Sequence, residues 1–212
     1  MSSMGEKLEI IAENVPKVFD AGKKAEQKAF WDVFQINGSR TNWQYAFAYA
    51  NCWTDETYNP IYPIKVSSTH DNMYYKATIT DTKVPIIVSY STLKWIFRES
   101  SIVTVPELNL SASTKTFTDP FDGATKLKNI TVTGTIAGSI KFSSCPLSVA
   151  SIKSIISCLK DYTGSSEYSY TLTLKSSAFS ALKSEGATAE YNGVACTWEE
   201  LVDNKKWNLT LS

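Results

Sequence analysis

Between Asn72 and Ser143 one pattern of bulky and alternating positions is written three times. Each copy opens on an aromatic-rich cluster, Met73-Tyr74-Tyr75, Trp95-Ile96-Phe97 or Phe117 to Phe121. Each then closes on an apolar-x-apolar strand, centred on Val84/Ile86, Leu108/Leu110 or Ile130/Val132. The strands recur after 24 and then 22 residues. Strand alternation aims Val84, Ile86 and Val88 inward and Pro85 and Ile87 outward; the equivalent outward positions are Glu107 and Asn109, then Asn129, Thr131 and Thr133. Pro85 and Pro106 lack amide donors, which predicts a narrow, irregular sheet.

A period in the low twenties, with Val105-x-x-Leu108-x-Leu110 and Leu127-x-x-Ile130-x-Val132 as its clearest copies, is the signature of a leucine-rich-repeat stack. One such unit cannot bury its own apolar face, so units pack in parallel and share a core, and the ends need caps. The predicted fold is α/β: a short leucine-rich-repeat-like solenoid with a small parallel sheet, a helical cap over 1–66, degenerate repeats over 67–145 and an α/β cap over 146–212.

The flanks supply those caps. Ser3 to Glu6 has the form of a capping box, and Val15, Val18, Phe19, Ala29, Phe30 and Val33 form a helical stripe that ends at Asn37-Gly38. Trp43, Ala46, Phe47 and Ala50 have i, i+3, i+4, i+7 spacing and predict a third helix over Asn42 to Ala50, with Tyr45 and Tyr49 as an i, i+4 pair on its side. At the other end, Ser148 launches a helix carrying Ile152, Ile155 and Ile156; strand, helix, hairpin at Asn192-Gly193, helix and a final strand from Trp207 follow.

Composition narrows the function more than the fold. With 212 residues and 43% hydrophobic content the chain can bury a real core. Twenty-one basic against 21 acidic side chains, without long runs of one sign, leave no footprint for nucleic acid or an anionic membrane. The first residues lack a signal-peptide pattern, and nowhere do about 18 apolar residues run together. Synthesis in the cytosol without export is therefore expected.

Candidate chemistry is sparse. Cys52, Cys145, Cys158 and Cys196 are widely spaced and read as free thiols. His70, the single histidine, has no nucleophile placed beside it by any motif. Asp119-Pro120-Phe121-Asp122-Gly123 lacks the alternating ligands of a calcium loop, and Gly134 to Gly138 lacks the Lys-Ser/Thr of a phosphate loop. No catalytic residue, metal or cofactor is expected.

Several long motifs carry a family resemblance: Ile11 to Glu26, Phe30-Trp31-Asp32, Asn37 to Asn42, Trp53 to Thr57, Ile79-Thr80-Asp81, and Cys145 to Ser148 followed by Ser151 to Thr163. Over about residues 5 to 175 the chain resembles BspA-like leucine-rich-repeat proteins encoded by phages and prophages of gut Firmicutes. The resemblance implies a non-enzymatic phage protein associated with the tail and with host recognition. The expected partner is a protein: a tail component, a host surface receptor or, in the alternative reading of an intracellular effector, a host defence protein. Binding is expected at Tyr45 and Tyr49 and along the outward columns Pro85/Ile87, Glu107/Asn109 and Asn129/Thr131.

Overall fold

The computed structural model describes residues 43–51, 60–66, 70–110, 114–165, 170–186 and 188–212, together with 25, 26 and 29. The first two predicted helices lie outside these residues, apart from Ala25, Glu26 and Ala29, which are helical. The protein is mixed α/β, with parallel strands in small sheets and three described helices.

The main sheet has four parallel strands in chain order: β1 (Ile64–Val66), β2 (Ile86–Val88), β4 (Thr104–Leu110) and β6 (Asn129–Gly134). Ile64, Ile86, Leu108 and Val132 are register partners across it, and Val66, Val88, Leu110 and Gly134 form a second row. Except for Gly134 these positions are buried, so the inward set is the one the alternation predicted. Two details differ. β2 starts at Ile86 rather than Val84, because Pro85 cannot donate to the ladder. Leu108 pairs with Val132 rather than Ile130, because the register shifts between Val105 and Leu108 and places Pro106 and Glu107 opposite Thr131 alone. β1 also extends the sheet upstream of residue 67.

Between the main strands runs a second parallel pair, β3 (Thr92–Lys94) and β5 (Thr116–Thr118), in which Leu93 faces Phe117. Each such strand leads into a tight turn that buries one ring, and the rings stack from turn to turn. Phe47, Tyr74, Phe97, Phe121 and Phe142 lie 5.0, 5.3, 5.6 and 4.4 Å apart in succession, with planes within 24° of parallel. Each stacked pair adds ~0.5–1.5 kcal/mol beyond its buried area.

The open edge of β6 is covered by α1 (Val149–Ser157), which Ser148 caps. The Ser151 hydroxyl accepts the Ile130 amide at 2.9 Å and donates to Lys128 O at 3.2 Å. Ser154 treats Val132 the same way, so helix hydroxyls replace a missing strand. Beyond α1, β7 (Ile140–Phe142), β8 (Tyr170–Leu174) and β11 (Trp207–Leu211) form a three-stranded parallel sheet in the order β11-β8-β7. It is accompanied by α2 (Ser176–Ser184), the hairpin of β9 (Thr188–Tyr191) and β10 (Val194–Thr197), and α3 (Trp198–Asn204). Asn192 and Gly193 both have positive φ, as a two-residue hairpin turn demands. Lys205 Nζ donates to the Ile156 and Ser157 carbonyls at the end of α1, tying the tail to the sheet cap.

Residues 44–49 are not helical, contrary to the sequence expectation for Asn42 to Ala50. Tyr45 and Tyr49 have φ of 55° and 59°, which no right-handed helix allows. The apolar spacing instead buries Trp43 and Phe47 in the first of the stacked turns.

Candidate functional site: the face of the stacked turns

Four successive turns share one backbone device, two left-handed residues four apart with the ladder ring midway. The pairs are Tyr45/Tyr49, Asn72/Lys76, Trp95/Glu99 and Asp119/Gly123. Side chains with a Cβ are strained in this region, by ~1–2 kcal/mol each. The conformation holds because each turn donates to the next: Phe47 N to Met73 O at 2.8 Å, Tyr74 N to Ile96 O at 2.8 Å and Phe97 N to Pro120 O at 2.9 Å. The outer amides do likewise, from Tyr49 to Tyr75 O, Lys76 to Arg98 O and Glu99 to Asp122 O. With the ring inward, Met73, Ile96 and Pro120 just before it are buried as well, while the residue after the ring and the left-handed residues other than Asn72 flank it at the surface, at least partly exposed.

Those flanking residues form a strip of rings and cations. Tyr45 and Tyr49 are 52% and 64% exposed, and Asn72 Nδ2 donates to the Tyr45 hydroxyl. Tyr49 meets Tyr75 edge-on at 5.6 Å. Arg98 lies over both Tyr75, at 5.8 Å, and Trp95, at 5.5 Å, while Lys94 lies over Trp95 at 4.2 Å. Lys76 sits over Tyr75, and its ammonium pKa is raised, first by its contact with the Tyr75 side chain and then by Glu99. Acids balance these cations: Asp71 pairs with Lys94 at 3.1 Å and Glu99 with Lys76 at 3.7 Å. Arg98 Nε approaches Glu99 at 3.4 Å and Asp122 at 3.8 Å without hydrogen-bond geometry to either. Locally neutral and rich in Tyr, Trp and Arg, the strip has the composition of a protein-binding hot spot.

The other expected site residues lie on the outer face of the main sheet. Ile87 and Asn109 share a row with Lys65 and Thr133, so Thr133, not Thr131, continues the column. Glu107, in the bulge, accepts from Thr133 Oγ1 at 2.6 Å and Asn109 Nδ2 at 3.2 Å. Its carboxylate is thus committed to bracing the sheet face. Pro85 supplies its carbonyl to Ile64 N, and Asn129 faces Thr104 at the start of β6. Tyr45 and Tyr49 are exposed, and they lie on a turn rather than the expected helix. Sequence reasoning missed Tyr75, Lys76, Lys94, Trp95 and Arg98 as surface residues. Their signal was the aromatic clusters, in which Met73, Tyr74, Ile96 and Phe97 are core while Tyr75, Trp95 and Arg98 stay partly exposed.

His70 is only 2% exposed and its Nε2 accepts the Lys94 amide at 3.1 Å, a structural role. Asp119 to Gly123 forms the fourth turn around Phe121. Burial pushes the Cys145 thiol up to about 12, against a smaller opposing effect of Lys175. Among the described residues no His, Cys, Asp and Glu side chains are grouped as metal ligands, and no helix is long and apolar enough to cross a membrane. A cavity of about 300 Å³ beside α2 and α3 is lined by Phe179, Leu182, Thr188 and Trp198, with the Lys183–Glu199 ion pair at its border. No protein-family model matches the chain, and no curated protein or solved structure matches it either.

Proposed function

We propose that this chain is a short leucine-rich-repeat-like solenoid, with a helical N-terminal and an α/β C-terminal cap, that serves as a non-enzymatic protein-interaction module. In this reading it is phage-encoded and tail-associated or engaged in host recognition, and its partner is a protein. The supporting observation is the strip itself: stacked turns present Tyr49, Tyr75, Trp95 and Arg98 in contact with one another on a hydrogen-bonded frame. Preorganised rings bury large area at little entropic cost, and near-neutral local charge suits a protein surface better than a polyanion.

Peptides selected from a displayed random library on the wild-type protein should lose at least about tenfold in affinity for Trp95→Ala and Tyr75→Ala, and keep it for Asn109→Ala. Circular dichroism checks that each variant is folded. Dependence on Asn109 alone would move the site to the sheet face. Mass spectrometry of purified virions tests the assignment to the particle, and absence from them would overturn it.

A further inference from the structure

We propose that the outer edge of β11 pairs with the same edge of a second copy of this chain, joining three strands from each copy into one sheet across a twofold axis. This surface is built from other elements than the strip and stands independently of the binding reading.

In the order β11-β8-β7, β11 stands at the end of its sheet. Ser212 N donates to Leu174 O and Ser212 O accepts Ser176 N, so by alternation Asn208 and Thr210 also turn their main-chain groups toward β8. Leu209 and Leu211 turn theirs the other way. On that outer side their amides and carbonyls meet no hydrogen-bond partner among the described residues. The apolar side chains run out at the same place: Ile140, Leu172 and Leu209 are register partners in one row, and Phe142, Leu174 and Leu211 in the next. The first two members of each row are at most 3% exposed, whereas Leu209 is half-buried and Leu211 is 43% exposed. Edge strands that stay single are guarded by charge, proline or a bulge, or are covered. The β6 edge is covered by the hydroxyls of α1, but β11 reads Trp-Asn-Leu-Thr-Leu, with no charge, proline or register shift.

A second copy is the occupant this edge fits, because the edge is complementary to itself. Antiparallel pairing about a twofold axis at Thr210 sets Leu209 of each copy opposite Leu211 of the other. Both residues direct amide and carbonyl to the seam, so each of the two pairs exchanges two main-chain hydrogen bonds. Opposed residues share a sheet face, so the leucines of both copies cover one another on one face while Thr210 meets its own image on the other. With 21 basic and 21 acidic side chains the chain has no net charge, and two copies meet no long-range repulsion.

Sedimentation velocity of wild type from about 1 to about 300 μM should show the mass rise from one chain toward two, since so short an edge makes a small, concentration-dependent contact. Leu211→Pro deletes an amide that β8 does not use, and Leu211→Lys sets a charge beside the seam; both should stay monomeric over that range, with circular dichroism checking the fold. In wild type, amide exchange at Leu209 and Leu211 should slow at least about tenfold between the dilute and the concentrated end. That measurement decides alone if neither variant folds. A wild-type chain that is monomeric throughout, folded variants that dimerise as it does, or a dimer that leaves both amides labile would overturn the proposal. A monomer that protects these two amides only when a peptide from the displayed library is added would assign the edge to a partner's extended segment instead, and self-pairing would be wrong.

Discussion

The Ser154 hydroxyl sits in the place of a missing β-strand against Val132, accepting its amide at 2.7 Å and donating to its carbonyl at 2.9 Å. A parallel edge offers such groups to any passing chain, and here a helix answers them from one side chain. Ser154→Ala should cost ~1–3 kcal/mol by leaving the Val132 amide unpaired, the carbonyl keeping its contact with Cys158. Urea denaturation measures the loss. An unchanged midpoint would mean that solvent already serves this edge.

Gly134 follows on the same strand, where its φ of +82° and the Leu110 carbonyl both forbid a side chain. A Cβ there would lie 1.6 Å from Leu110 O. Gly134→Ala should destabilise by more than about 3 kcal/mol, since left-handed strain adds to a backbone clash that no rotamer relieves. Gly193→Ala has open space around it, so its loss should be limited to ~1–2 kcal/mol of strain. Thermal unfolding of the two variants side by side checks the difference.

Tyr74 is the one ladder ring with a hydroxyl, and that oxygen is buried without a hydrogen-bond partner among the described residues. Burial, then the nearby Asp81 charge, raises its pKa far above the tyrosine range. Tyr74→Phe removes an unsatisfied polar atom and keeps the stack, so stability should rise by ~1 kcal/mol. A loss of similar size in denaturant would show that the hydroxyl contributes a bond.

Cys145 should be the least reactive thiol among the described cysteines. Burial raises its pKa to about 12, so at about pH 8 its thiolate is rarer than the thiol by roughly four orders of magnitude. Iodoacetamide followed by peptide mapping should label Cys196 well before Cys145. The sign of the linkage follows: a raised acid favours the folded state fully below the unfolded value of about 8.5, and that stability is lost as pH rises toward about 12. Cys145→Ala should flatten the alkaline limb of the stability profile, and an identical limb in both proteins would refute the assignment.

Local pattern by itself determined much of this molecule. Alternation at Ile86, Leu108 and Val132 and their spacing specify parallel strands in chain order, since each strand's inner face is apolar and needs a like neighbour. Ser148 before an apolar helical face specifies α1, and Asn192-Gly193 a hairpin, because capping and left-handed φ are properties of a few residues in a row.

Other features were decided by contacts with distant residues. Apolar spacing from Trp43 to Ala50 suits a helix as well as a turn; carbonyls at Asp71, Met73 and Tyr75, a full repeat away, accept the amides of Tyr45, Phe47 and Tyr49 and select the turn. The bulge at Pro106 and Glu107 moved Thr133 beside Asn109, because pairing across β4 and β6 sets register and spacing alone does not. The strip was hidden for the same reason. Tyr49, Tyr75 and Trp95 lie in three turns remote in sequence, and only the stacking of Phe47 on Tyr74 and Tyr74 on Phe97 brings their neighbours together on one face.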